Sequence, residues 1–396
     1  MSESNATTPT GIDVAEVRAL FPALDTFVWF QNGGVSITPQ PVADEHTRLM
    51  QELFERGPMH IAYPDEEMPR RSASIARIAR FLHVDADDLA LTRGVSEAFQ
   101  TVLRGMDWKE GEEILITAEE EAALFLPVLQ LRDLFGVRPV KVPLLMDEAD
   151  QTAAFADRIG PRTRLVAFSH VTTDTGHRMP VAGICKAARA AGSLSFVDMA
   201  HSAGVFPIDL SACECDFAGL LSYKWFYAPY ASGVLYVRPD RRDALRVTYA
   251  GGRSESLLDW ETDRYESKPT AKRFQYGPWS WPLVHAWATA LDFLDGYGLE
   301  AISDRTAALT TRLKHGLKAL EGVSVLTPET FDRSAALVTF STPGNAVEVS
   351  DRLREEWNIV IKPTHSTCEA LRASIPFFLV EEEVDLLIEA ASKGTT

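Results

Sequence analysis

SFVDMAHSAGVFPIDLSACECDFAGLLSYKWFYAPYASGVLYVR, from Ser195 to Arg238, decides the fold. Phe196 and Val197 run as an apolar strand into Asp198, and His201 follows three residues later. Lys224 then stands alone among Trp225, Phe226, Tyr227 and Tyr230. A lysine in such surroundings loses hydration, which lowers its pKa and frees a neutral amine to attack an aldehyde. An acid at a strand end can keep a pyridine nitrogen protonated, and acid and amine together are what pyridoxal phosphate requires.

Working outward, strands alternate with helices on both sides of this stretch. Leu89 to Thr92 reads as a strand, followed by a Gly94-Val95-Ser96 turn and a helix beginning near Glu97. A small-residue turn that opens a helix presents unpaired N–H groups and a favourable dipole to an anion, although Ser96 is equally able to serve as an ordinary N-cap. Arg70 to Leu82 is an amphipathic helix, with Ile75, Ile78, Ala79 and Leu82 on one face. A strand over Glu113–Thr117 leads through Glu119, Glu120 and Glu121 into a further helix, where first-turn acids ordinarily complement the dipole. Further strands (Val140 to Leu144, Leu165 to Phe168) and helices (Asp147 to Ile159, Val181 to Ala191) continue a β-α-β rhythm, so an α/β fold with a mostly parallel sheet is expected. After Arg238 the chain looks irregular up to about Pro282. Long helices and short strands then suggest a smaller α+β domain. The expected division is a large domain over 25–283, with 1–24 and 284–396 forming the small one.

Composition narrows the function. With 396 residues, 46% hydrophobic and 24% charged, the chain has the make-up of an ordinary globular protein. A net charge of −17, from 39 basic and 56 acidic residues, argues against a nucleic-acid partner. No run approaches the roughly 20 apolar residues of a membrane span. A cytoplasmic protein is expected, with Cys185, Cys213, Cys215 and Cys368 kept as thiols. Cys213 and Cys215 lack the further ligands that a metal site would need, so no metal is expected.

VDMAHSAG and SYKWFYAPYASGVLYVR resemble signatures of the class V aminotransferase-fold enzymes, the fold-type I branch that holds cysteine desulfurases and isopenicillin N epimerase-like proteins. The likeness runs from about Phe30 to about Leu387 and implies a pyridoxal phosphate enzyme, a homodimer with shared active sites, and an amino-acid substrate. On this resemblance Lys224, Asp198 and His201 are the catalytic residues. Gly94, Val95, Ser96, Thr173, Ser222, Tyr223 and Gly277 join them around the cofactor, the last through a segment that reaches the partner in relatives. Arg372 aligns with the arginine that binds the substrate carboxylate, and its planar fork suits that task. Asn32 lies in the Asn-Gly-Gly turn, which is either near the substrate or a plain turn.

Several positions depart from the family pattern. Glu121 and Ala122 stand where relatives carry the side chains that stack on the pyridine ring, so Glu121 is either a substrate contact with an acid-base role or a helix-start acid. Thr173 replaces an Asn of the desulfurases, Tyr223 a His, Gln275 a Glu and Pro278 a Thr. The desulfurase cysteine, some fifteen residues before the arginine in relatives, is absent from EEWNIVIKP, and Cys368 lies only four residues from Arg372. Class V enzymes outside the desulfurases include C–S lyases like those of the ergothioneine and lincosamide pathways. Trp29, Tyr63, Trp279 and Trp281 would suit a bulky S-conjugated amino acid. The favoured expectation is β-elimination of a cysteine S-conjugate or a decarboxylating deamination in secondary metabolism. A class V aminotransferase or an epimerase is the alternative, and a non-catalytic scaffold relative remains open.

Overall fold

The computed structural model describes residues 11–364 and 368–393. Its larger sheet has seven strands, ordered Leu89–Thr92, Gly233–Val237, Phe217–Leu221, Leu194–Asp198, Thr163–Ser169, Glu113–Thr117 and Arg138–Val142. Gly233–Val237 runs antiparallel to both neighbours, and the remaining pairs are parallel. Strands Leu89–Thr92, Glu113–Thr117, Phe217–Leu221 and Gly233–Val237 are buried along their whole length, as expected where helices cover both faces. The α/β architecture with a mostly parallel seven-stranded sheet is therefore as expected.

A second, antiparallel sheet orders Ser324–Val325, Leu337–Ser341, Ala370–Ser374 and Lys362–Thr364. The segment near residue 30 ties into it: Val28–Trp29 pairs in parallel with Ile359–Val360, and the Ser374 amide donates to the Phe30 carbonyl at 2.8 Å. These contacts bring Asn32 and Gly33 to the arginine on Ala370–Ser374. The expected division at 283/284 falls inside the helix Trp281–Tyr297, which packs on Gln40–Arg56 and Pro64–Phe81.

Local chemistry explains where elements differ from the sequence expectation. The amphipathic helix runs over Pro64–Phe81, because Pro64 sits at its N-terminus with Asp65, Glu66 and Glu67 in the first turn. The helix expected near Glu97 begins at Val95. Within the stretch expected to be irregular, Glu255–Asp259 and Arg264–Ser267 form an antiparallel hairpin.

Candidate active site

Lys224 is set by the loop that joins Phe217–Leu221 to Gly233–Val237. The Ser222 amide donates to the Ser232 carbonyl, the Ala228 amide to Ser222, and Tyr227 and Ala231 take left-handed backbone conformations (φ 58° and 61°). Trp225, Phe226 and Tyr227 are all buried and anchor the loop. Gly204 lies against its backbone, since a Cβ there would meet the Trp225 carbonyl oxygen at 2.5 Å. Lys224 is only 8% exposed, and burial lowers its pKa to about 8, opposed in part by Glu121 and Asp198. Its Nζ lies 3.3 Å from His201 Nε2. Burial, then the charge of Lys224, holds the His201 pKa well below its ordinary value, and its Nδ1 has no hydrogen-bond partner among the described residues.

Asp198 ends its strand at the carboxyl edge of the sheet, where open α/β sheets place ligands. Its Oδ1 accepts the Ala200 amide at 2.8 Å, and burial raises its pKa to about 6 against that hydrogen bond and Lys224. Asp198, Ala200 and Lys224 share a cavity of about 650 Å³ with Gly94 to Glu97, Glu121, Tyr223, Tyr249 and Tyr276. Gly94 caps the helix Val95–Gly105 at φ 149°, with no side chain capping the helix N-terminus. A Cβ at Gly233 would meet the Leu220 carbonyl oxygen at 2.5 Å and Gly94 Cα at 2.8 Å, so a glycine is needed beneath the turn. A buried low-pKa amine, a strand-end acid and an uncapped helix N-terminus around one chamber match the three demands of pyridoxal phosphate: aldehyde, ring nitrogen and phosphate. The residues present fit the cofactor.

The second end of the site is built by Arg372, which is fully buried on Ala370–Ser374. Its Nη1 donates to the Thr173 carbonyl at 2.8 Å and to Thr173 Oγ1 at 2.9 Å, while Nε and Nη2 have no partner among the described residues. Gly33 allows this approach, because a Cβ there would sit 2.6 Å from Ser374 Oγ and 3.4 Å from Arg372 Nη2. The Asn32 amide donates to the Lys224 carbonyl at 3.2 Å, and its Oδ1 is buried without a partner among the described residues. Glu121 receives the Thr173 hydroxyl. Burial pushes the Glu121 carboxyl up, but Lys224, Thr173, Lys362 and Arg372 together hold it below its ordinary value. Asn32, Glu121, Thr173 and Arg372 thus lie together beside Lys224, with Thr173, expected at the cofactor, bridging Glu121 and Arg372.

Other residues lie differently. Glu119 and Glu120 do not line the helix start as dipole complements: the helix begins at Ala122 with Glu121 at its N-cap, and the Glu119 and Glu120 carboxyls are buried. Glu119 accepts the Asp174 and Thr175 amides and the Thr175 hydroxyl; Glu120 accepts the Ser169 amide and hydroxyl and the Thr117 hydroxyl. Trp279 and Trp281 line a separate cavity with Arg71, Arg253, Lys268 and Lys272. Trp29 donates to the Val35 carbonyl, and Tyr63 lies under Arg56. None of the four aromatics borders the Lys224 chamber, and the helix that carries Trp281 packs on Pro64–Phe81. The Ser222 hydroxyl donates to the Pro229 carbonyl, Tyr223 stacks on Tyr230 at 5.0 Å, and the Gly277 amide donates to the Gly252 carbonyl. Lys362, which sequence reasoning passed over, lies directly across the ladder from Arg372.

Comparison with known proteins accords with this geometry. The sequence profile of the aminotransferase class-V family matches residues 28–387. Isopenicillin N epimerase of Streptomyces clavuligerus is 31% identical over 332 residues, covering 79% of this chain and 81% of the relative. A probable cysteine desulfurase of Pyrococcus abyssi is 25% identical over 357 residues, 88% of this chain and 87% of that one. Among solved structures, the cystine C–S lyase C-DES in complex with its product cysteine persulfide superposes with a TM-score of 0.87 at 28% identity, covering 95% of this chain and 100% of the other. The chain is a pyridoxal phosphate enzyme of fold type I and belongs to the class V aminotransferase family.

Proposed function

We propose that this enzyme removes the α-proton of an amino acid and expels a sulfur leaving group from Cβ, giving C–S cleavage of a cysteine S-conjugate. The observation that carries the reading is the unpaired Nε and Nη2 face of fully buried Arg372, in a site whose Lys224 amine has a pKa of about 8. Arg372 takes the substrate carboxylate in its fork, which fixes Cα relative to Lys224. When bound, pyridoxal phosphate withdraws electrons from Cα through its protonated ring. Asp198 holds the proton at the ring nitrogen, and the amides of Val95 and Ser96, with the Ser96 hydroxyl, receive the phosphate. Lys224, freed by substrate, accepts the Cα proton as general base. The C–S bond then breaks with its electron pair left on sulfur, and the dehydroamino acid released is hydrolysed to pyruvate and ammonia. The likeness to the C–S lyase C-DES supports this outcome.

Epimerisation is the second reading. It is favoured by Glu121, a second proton-handling group in the chamber of Lys224, and by the 31% identity with isopenicillin N epimerase. Incubation with cysteine S-conjugates separates the two. Stoichiometric thiol, pyruvate and ammonia support elimination. α-Deuterium uptake from D₂O into intact amino acid, lost in Glu121→Gln, would replace it with epimerisation, and accumulation of pyridoxamine phosphate with neither result would make the enzyme an aminotransferase. We further infer a cytoplasmic homodimer, for which exposed Phe54, Ile61 and Met68 on three successive helices supply apolar surface. Light scattering at the monomer mass would overturn the dimer.

A further inference from the structure

Two cations stand side by side at the substrate end, and the reaction as proposed uses one. Antiparallel pairing sets Lys362 directly opposite Arg372, so both side chains leave the same face of the small sheet. Arg372 extends to Thr173, whose hydroxyl in turn meets Glu121. Lys362 is half-buried yet makes no hydrogen bond or ion pair among the described residues. The nearby carboxylates of Glu121 and Asp174 act on the Lys362 ammonium through space only, and Glu121 holds the Thr173 hydroxyl. An α-carboxylate docked on Nε and Nη2 neutralises Arg372 and leaves the Lys362 ammonium, which no described carboxylate contacts directly, beside the bound substrate. A desolvated cation without a partner is unfavourable unless a ligand supplies the missing anion. Burial followed by the charge of Arg372 depresses the Lys362 pKa, opposed by Glu121 and Asp174, and the charge of Lys362 is felt in turn at Lys224, His201 and Glu121.

We propose that Lys362 reads a second acidic group on the substrate, so that the preferred substrate is an amino acid whose side chain ends in an anion. This rests on the pyridoxal phosphate reading of the same site and on Arg372 as the α-carboxylate anchor. Within that reading it selects among S-conjugates: one whose sulfur substituent carries a carboxylate engages both cations, whereas a plain alkyl conjugate leaves Lys362 unpaired.

The test uses the holoenzyme and ligands that cannot react. Straight-chain monocarboxylates and dicarboxylates of three to six carbons, lacking an amino group, are titrated against the visible cofactor band and by calorimetry. In the wild type some dicarboxylate in the series should bind on the order of tenfold more tightly than the monocarboxylate of equal length. Lys362→Met should erase that preference and leave the monocarboxylate where it was; Lys362→Arg should keep the preference. Arg372→Met should weaken both ligand classes together. Equal affinity for the two classes at every length in the wild type, or a preference that survives Lys362→Met, overturns the proposal. A wild type with no visible cofactor band is a different failure, since it removes the cofactor reading before Lys362 is tested.

Discussion

The chamber has two ends that are built differently. The cofactor end comes from pieces of one sheet: Asp198 ends a strand, Lys224 follows the next strand, and Gly94 opens a helix after a third. Its contacts are backbone amides and close-packed glycines, with Gly233 against Gly94 and Gly204 against Trp225. The substrate end is assembled from four segments far apart in sequence, carrying Asn32, Glu121, Thr173 and the pair Lys362 and Arg372. There the contacts are polar and charged side chains, and Arg372 Nε and Nη2 and Asn32 Oδ1 have no partner among the described residues. Backbone geometry tolerates little change, while side-chain charge can be rearranged one residue at a time. The difference explains how one cofactor apparatus accepts varied chemistry.

Variants should therefore divide by spectrum. The largest effect belongs to Lys224→Ala, which should remove the borohydride-sensitive visible band and lower turnover on the order of 10³-fold. Attachment of cofactor to apoenzyme requires the neutral amine. Because burial lowers the pKa to about 8, the rate should rise with pH and level off near there rather than continue towards the ordinary lysine value. A wild-type rate still climbing at pH 10 would show that Lys224 is not desolvated as placed.

At the other end, Arg372→Met should keep the band and lose kcat/KM on the order of 10²-fold, since it removes a buried fork made for a carboxylate. If the band vanishes with the activity, the two ends are not separable and the comparison fails. A smaller effect is expected for Gly233→Ala. Its Cβ would press on Gly94 and on the Leu220 carbonyl, costing about 1–3 kcal/mol and weakening cofactor affinity while sparing Arg372. Equilibrium dialysis against free pyridoxal phosphate reads that loss, and an unchanged affinity would separate Gly233 from the phosphate turn.

The same contrast governs what was legible in the sequence. Strand, acid and lysine of the cofactor end lie in one continuous stretch, so their spacing could be read directly. Arg372 and Thr173 were found by resemblance alone, because nothing local shows that they touch. Lys362 was missed since its relation to Arg372 is a register across a ladder, invisible until the strands are paired. The Glu255–Asp259 and Arg264–Ser267 hairpin is exposed on both faces and so lacks the apolar alternation that betrays a strand. Trp279 and Trp281 misled for the opposite reason: large aromatics suggest a pocket, and these belong to a different one.

Glu119 and Glu120 were hidden by their own chemistry, as acids before a helix usually face solvent, and Glu120 offers the finest test of how the two ends are joined. Its carboxyl accepts from Ser169, at the end of the strand beside Asp198, and it immediately precedes Glu121 of the substrate end. Burial raises its pKa from the ordinary 4.5 to about 8; Thr117 and Ser169 oppose the shift, and Asp198 adds to it. A carboxyl raised in the folded state contributes stability that is complete below its unfolded value and lost as pH rises through its folded one. Glu120→Gln cannot ionise, so its Tm should run close to that of the wild type at about pH 5 and exceed it by a few degrees at about pH 9. The visible band should be unchanged, because the residue supports both ends and lines neither. Parallel Tm curves across this range would mean that Glu120 is already ionised in the folded protein, with its charge met by the Thr117 and Ser169 donors.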